Sequence, residues 1–527
     1  MDTKALRQKI LDLAIRGKLV PQDPNDEPAE VLLERIREQK QQMFKEGKLK
    51  KKDIKNDTII FKGEDNLHYE KFADGTVKCM EDEIPFEVPE GWAWCKLNDI
   101  YNFIDYRGAT PTKITNGIPL VTAKNVKSGY IDYTIDDYIS EEEFKERQQR
   151  GISKKGDILF TTEAPLGNAA LADMEKFSAG QRLITFQQYG SKNELINYVM
   201  LMFILSDFFQ QQLYVNKTGS TVAGIKAAIL KTLWIPVPPY NEQLRISNTL
   251  KSAINLIDSI SKNKEILSTS ISNTKSKILD LAIRGKIVPQ DPNDEPASVL
   301  LERIRAEKEE LIKQGKIKRD KKESVIFKGD DNSYYEKMPD GKLNCLNEQL
   351  TFELPEGWEW CNLLMIGTTN IGLTYRPADI DTQGIMVLRS CNIVNEKINL
   401  TDLVRVKTSI RTNQFVQKND ILICARNGSR TLVGKCALIP ELDEQASFGA
   451  FMAIYRTPYF GYIIHFLRSN FFRSIFDDSN STTINQLTQD MLKRAIVPLP
   501  PLAEQHRIVK KLNTLLTDLS YIEKELN

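Results

Sequence analysis

Six short stretches are examples of loops dense in side chains suited to recognition chemistry: "YRGATPTK" (106–113), "TAKNVKSG" (122–129), "NKTGST" (216–221), "LRSCNIVNEK" (388–397), "ARNGSR" (425–430) and "SNSTT" (479–483). Arginine forks suit guanine edges, asparagine and glutamine suit adenine, and lysine, serine and threonine suit phosphate oxygens. In the first half the candidate nucleic-acid contacts are Arg107, Thr110, Lys113, Lys124, Asn125, Lys127, Lys217, Ser220 and Thr221. In the second half they are Tyr375, Arg376, Arg389, Asn392, Arg411, Arg426, Asn427, Arg430 and Thr482. Any one of these alone is an ordinary surface residue; their density in paired segments is what points to nucleic acid. Net charge is only +1, but 389–435 carries nine Lys/Arg against three Asp/Glu, and local patches decide such binding.

Catalytic patterns are missing. No P-loop and no G-x-G-x-x-G follows a strand, and His68, His465 and His506 are isolated. "VPPY" (237–240) is similar to the [DN]-P-P-[FY] loop of amino-group methyltransferases, but Val237 cannot accept from an amine, and its repeat partner "LPPL" (499–502) also lacks the aromatic. The seven cysteines form no CxxC pair, so buried reduced thiols beside tryptophans are expected, with no metal site in this chain. "MDTKALRQKI" has no signal-peptide core and "YVMLMFIL" (198–205) is too short to span a bilayer, so the expected location is cytoplasmic, without membrane contact.

The elements that must position these loops are duplicated. "KILDLAIRGKLVPQDPNDEPA" (9–29) returns at 277–297 with one change, Ile287 for Leu19. "FKGEDNLHYEKFADGTVKCMEDEIPFEVPEGWAWC" (61–95) returns as "FKGDDNSYYEKMPDGKLNCLNEQLTFELPEGWEWC" (327–361), and "IPVPPYNEQLRI" (235–246) as "IVPLPPLAEQHRI" (496–508). Between these anchors, 96–217 and 362–479 share only fragments such as "GDILF" (156–160) and "NDILI" (419–423). Frames held alike beside divergent interiors imply unequal constraint.

The frames read as helices. Ile246, Leu250, Ala253, Ile257, Ile260, Lys264, Leu267, Ile271, Thr274, Ile278 and Leu281 follow a 4-3-4-3 spacing, a coiled-coil seam. Pro238–Pro239 precedes it and Gly285 closes it, predicting a helix of about 43 residues and roughly 65 Å. Ile508, Leu512, Leu515, Leu519 and Ile522 repeat its first half, and Leu6, Ile10 and Leu13 its second. The second copy of the helix is thus cut, its pieces lying at the two chain ends, which predicts a closed pseudo-twofold object with antiparallel long helices. A further helix over "EPAEVLLERIREQKQQMFKEG" (27–47) is expected, with Asp26 as its cap, Pro28 in its first turn and Gly47 at its end. The basic runs "KLKKKDIK" (48–55) and "KIKRDKK" (316–322) read as solvated linkers or phosphate contacts.

"ILDLAIRGKLVPQ", "VPEGWAWCKL", "GDILF" and "IPVPPYNEQLRI", all in duplicate, resemble the specificity subunit of type I restriction–modification enzymes across essentially the whole chain. The resemblance implies an α+β fold: two globular target recognition domains joined by two long antiparallel coiled-coil helices in a pseudo-twofold circular organisation. The expected divisions are a helical region at 1–56, recognition domains at 57–240 and 323–502, a central region at 241–322 holding the spacer helix and the helix after it, and a C-terminal spacer helix at 503–527. It implies a non-catalytic chain that reads a bipartite, asymmetric double-stranded DNA target, one half per domain. Two modification subunits would carry S-adenosylmethionine and methylate adenine N6, and restriction subunits, where present, would use ATP and Mg. Arg16, Lys18 and Gln22, with Arg284, Lys286 and Gln290, are the candidate docking residues for the partner used twice. A self-sufficient methyltransferase and a coiled-coil scaffold with protein-binding heads are the competing readings. One departure from the family is the long copy of the "LDLAIRGK" module at the N-terminus.

Overall fold

The computed structural model describes residues 2–526 apart from 55–56, 73, 107–109, 190–193, 220–222, 321–322 and 478–485. The chain divides into two compact units, 1–264 and 265–527. The boundary falls inside one helix, Tyr240–Ile283, whose 44 residues match the seam-bearing helix read from the sequence.

Each unit carries the same four sheets, and the second adds a two-stranded hairpin, Ile393–Val394 with Lys397–Ile398. In the first, a hairpin sheet (Ile59–Lys62, His68–Lys71, Val77–Cys79) precedes a two-stranded pair, Ala93–Lys96 with Trp234–Val237. An antiparallel four-stranded sheet follows in the order Tyr101–Asp105, Leu183–Gln188, Ile158–Thr161, Ala169–Leu171. A smaller sheet joins Ser178–Ala179 in parallel to Ile118–Val121, which pairs with Tyr138–Ile139. The second unit repeats this as Val325–Lys328, Tyr334–Lys337 and Leu343–Cys345, then Glu359–Asn362 with Ile496–Leu499. Its four-stranded sheet runs Thr368–Ile371, Met452–Arg456, Ile421–Cys424, Cys436–Leu438, and Ala446–Phe448 again pairs in parallel, here with Ile380–Leu388. The interiors that share only sequence fragments therefore share their strand order. Continuous apolar runs such as "DILF" and "DILI" bury on both faces: Ile158, Leu159, Phe160 and Ile421, Leu422, Ile423 are fully enclosed.

The helical region does not stand apart. Leu11, Ala14 and Ile15 of the N-terminal helix (Thr3–Ile15) and Leu32 and Ile36 of the next (Ala29–Lys45) share one core with Trp92, Phe203 and Val237. In the second unit Leu279, Ala282, Ile283, Leu300 and Leu301 do the same with Trp358, Tyr462 and Leu499. Each half of the spacer helix runs antiparallel to a helix of its own unit. Arg7 pairs with Asp258, and Asp2 lies beside Lys264; Lys275 pairs with Glu523 of the C-terminal helix (Leu502–Leu526) at 2.5 Å.

Several expectations need correction. Ile246, Leu250, Ile257, Ile271, Ile508 and Leu512 are buried, while Ile260, Ile278, Leu515 and Leu519 are half-buried. Leu267 and Ile522, however, are exposed at 42% and 44%. Leu267 lies four residues before buried Ile271, so the 4-3-4-3 spacing alone does not decide which seam positions are covered. Asp26 does not cap the following helix, whose N-cap is Pro28; its carboxylate accepts from Arg245 at 2.5 Å, as Asp294 does from Arg507 at 2.6 Å. Cys95 and Cys361 are buried as expected, but Cys79 and Cys345 end hairpin strands and are exposed.

Candidate nucleic-acid interface

The repeated stretch is held by its own chain. Gly17 ends the first helix at φ +64, and Lys18 N–H returns to Leu13 O at 2.7 Å. Only glycine fits, since a Cβ would sit 2.3 Å from Pro89 Cγ; Gly285 meets Pro355 in the same way at 2.4 Å. Gln22 then donates to Gly17 O (2.6 Å) and to Glu242 Oε1 (3.0 Å), and Glu242 Oε2 accepts from Trp92 Nε1 at 2.9 Å. Gln290, Glu504 and Trp358 repeat this lock at 2.6, 3.2 and 2.9 Å. Burial pushes both carboxyls up from the usual glutamate range. The lock joins three anchors that are far apart in sequence, "LVPQ", "EGW" and "EQ", which accounts for much of their sameness.

Of the six docking candidates, Gln22 and Gln290 thus serve the fold. Arg16 and Arg284 are engaged too: each pairs with the aspartate four residues earlier, Asp12 at 2.7 Å and Asp280 at 2.9 Å. Their guanidinium groups stack on Phe86 and Phe352 at 4.3 and 4.5 Å. Lys18 and Lys286 are exposed.

The recognition candidates sort into three groups. Asn125 and Asn392 are buried at 3% and 1% and cannot read a base. Asn125 Oδ1 accepts from Thr122 N–H (2.9 Å), and its Nδ2 donates to Asp132 O and Ile135 O, both at 2.9 Å. Asn392 does the same with Arg389 N–H (2.9 Å), Asn399 O (3.0 Å) and Asp402 O (2.7 Å). Both are loop staples, recurring at the same offsets within segments that otherwise diverge. A second group is exposed or half-exposed with a local partner: Thr110 donates to Gln181 (2.7 Å), Lys113 pairs with Asp137 (2.7 Å), Lys127 with Asp132 (3.8 Å) and Arg389 with Asp402 (3.0 Å). The Lys217 ammonium sits 3.5 Å from the centre of the Tyr214 ring, and half-buried Asn427 bonds Ser429 N–H at 3.0 Å. The third group, Lys124, Arg376, Arg411, Arg426 and Arg430, is exposed, the Arg426 guanidinium lying 5.6 Å from the centre of the Phe451 ring, and Tyr375 is half-buried. Arg107, Ser220, Thr221 and Thr482 lie outside the described residues.

In the second unit Tyr375, Arg389 and Phe451 line a groove of about 660 Å³ together with Leu373 and Cys391. Phe451 is 61% exposed, an aromatic the sequence reading missed because nothing in "FGAFMAIY" marks which phenylalanine faces out. Among the described residues no group of three or more His, Cys, Asp or Glu is placed to hold a metal, and no helix is long and apolar enough to cross a membrane.

The family model described as the type I restriction modification DNA specificity domain matches residues 89–268 and again 375–527. The Escherichia coli type I restriction enzyme EcoAI specificity subunit is 29% identical over 99% of this chain and 90% of its own length. The E. coli EcoEI specificity subunit is 27% identical over 96% and 88%. A chain from a solved structure described as the "structural basis underlying complex assembly and conformational transition of the type I R-M system" superposes with a TM-score of 0.55. It covers 84% of this chain and 94% of that one at 16% identity, a likeness of fold. Two copies of the matched domain, in the two units whose strand orders agree, place this chain in the family of type I restriction–modification DNA specificity subunits.

Proposed function

We propose that each unit reads one half of a bipartite, asymmetric double-stranded DNA target, and that the repeated helical frame docks two adenine-N6 methyltransferase subunits. The single observation carrying this reading is that two domains sharing the strand order of their four common sheets present different exposed side chains on matching loops. A shared frame with unlike tips suits two readers of unlike sequences better than one active site. Docking twice fits the duplication of exposed residues on the frame: Lys18 and Lys286, and Val31 and Val299 at 44% and 41% exposure. In this reading the chain itself is not catalytic. S-adenosylmethionine sits in the modification subunits, ATP and Mg serve restriction subunits where these join, and the assembly works in the cytoplasm.

The test is co-expression with the modification partner, followed by genome-wide mapping of N6-methyladenine. A discontinuous two-part motif, absent when either chain is expressed alone, is the expected result. Methyl transfer by the purified chain alone would instead establish the self-sufficient enzyme. Failure of the assembled complex to prefer any DNA sequence at low salt would establish the scaffold.

A further inference from the structure

One pair of positions has the same backbone setting in both units and opposite chemistry. In the first unit the strand Ile158–Thr161 runs into Thr162–Glu163, where Thr162 N–H donates to Arg182 O (3.1 Å) and Ile225 N–H donates to Thr162 O (3.0 Å). In the second, Ile421–Cys424 runs into Ala425–Arg426, where Ala425 N–H donates to Phe451 O (2.9 Å) and Leu487 N–H donates to Ala425 O (2.7 Å). Isolated bridges Glu163–Gly224 and Arg426–Gln486 complete the match. Position 163 thus corresponds to 426, and 182 to 451.

The side chains at these matched positions face each other across the loops. Arg182 Nε meets Glu163 Oε1 at 3.1 Å, with side chains 51% and 44% exposed. The Arg426 guanidinium lies 5.6 Å from the centre of the Phe451 ring. Each pair therefore consists of an exposed arginine and a neighbour that orients it, but the arginine has changed places. The Arg182 ion pair uses Nε, whereas the bidentate face that fits guanine O6 and N7 is made by the two terminal nitrogens. The Phe451 ring 5.6 Å away likewise attracts the Arg426 guanidinium without using its donors. The backbone beneath both is pinned to a sheet, which suits positional reading better than a mobile lysine does.

We propose that Arg182 and Arg426 are the guanine-reading side chains of the two domains, aimed by Glu163 and by Phe451 from the exchanged positions. This rests on the two-reader function proposed above. The exchange of sides moves the donor fork from one loop to the other, so the guanine occupies a different place in each half-site.

The test uses the full chain in complex with its modification partner, methylating a plasmid library with randomised targets and S-adenosylmethionine, read by N6-methyladenine sequencing. Arg182→Gln is expected to relax one base pair of one half-site only, and Arg426→Gln one base pair of the other only. Each should cut discrimination for guanine roughly 5- to 150-fold. Arg182→Lys and Arg426→Lys keep the charge but not the fork, and are expected to relax the same base pairs; they also keep the result readable if a Gln variant gives no product. Lys variants with the wild-type motif at the wild-type level would show phosphate contacts and overturn the proposal. So would Gln variants that weaken methylation evenly across all sequences. A wild-type complex with no two-part motif would overturn the underlying function, whereas an intact wild-type motif unmoved by all four variants overturns this inference alone.

Discussion

Replacing Asn392 by alanine separates a staple from a base contact. The amide accepts one backbone hydrogen bond and donates two, at 2.9, 3.0 and 2.7 Å, inside a loop where it is 1% exposed. Each such bond contributes about 1 kcal/mol net, and the loss also strands an N–H and two carbonyls, so the loop should lose about 3 kcal/mol. Through opening equilibria that is roughly a 150-fold loss of protection for the amides of 389–402. Hydrogen exchange with peptide-level mass spectrometry would read it, with urea unfolding as a second measure. Asn125→Ala should do the same to 122–135 and leave 389–402 untouched, because the two staples belong to separate units. Asn392→Asp keeps the acceptor but loses both donors, and should also weaken the loop. Protection within twofold of wild type, together with an altered base preference in the DNA target, would refute this reasoning and restore the base-contact role.

Leu250→Ala removes a fully buried spacer-helix side chain and should cost about 2–5 kcal/mol in urea unfolding, whereas Leu267→Ala, on an exposed residue, should stay within about 0.5 kcal/mol. Burial, with the nearby Arg468 charge, pushes the His465 imidazole down to about 4. The unfolded chain takes up that proton near pH 6.5 and the folded one does not, so this group should cost the second unit about 3 kcal/mol as pH falls from 6.5 to 4. In the first unit, burial pushes the Asp99 and Asp157 carboxyls up to about 6. There the folded state holds the protons more tightly, and these groups add stability as pH falls from about 6 toward 4. Exchange measured unit by unit across this range should show the two trends diverging; parallel trends would contradict the assignment. Gly285→Ala forces a side chain into positive φ against Pro355 and should cost about 2 kcal/mol or more by thermal unfolding, where a neutral result would deny the close packing.

The duplicated frame was legible because it is written in periodicity and punctuation. Paired prolines, a closing glycine and a 4-3-4-3 spacing located Tyr240–Ile283 within a residue or two. Which seam positions are covered was not legible: Leu267 obeys the pattern and still faces out, four residues before buried Ile271. Asp26 shows a similar limit. An aspartate two residues before a proline reads as a cap, but an arginine 219 residues away competes for it and wins. The recognition loops were legible as loops and not as contacts. Asn125 and Asn392 have the right chemistry for adenine, yet a buried amide with three backbone partners has none left to offer. Their common offsets, visible only once both loops are folded, were the signal that sequence alone concealed.

The most direct measurement of the central claim is a domain exchange. Replacing 96–234 by the corresponding interior of another specificity subunit, within the complete methyltransferase complex, leaves 362–495 untouched. The account predicts that N6-methyladenine mapping will show one half of the motif replaced and the other half retained. A motif unchanged in both halves, or changed in both, would contradict the assignment of one half-site to each unit.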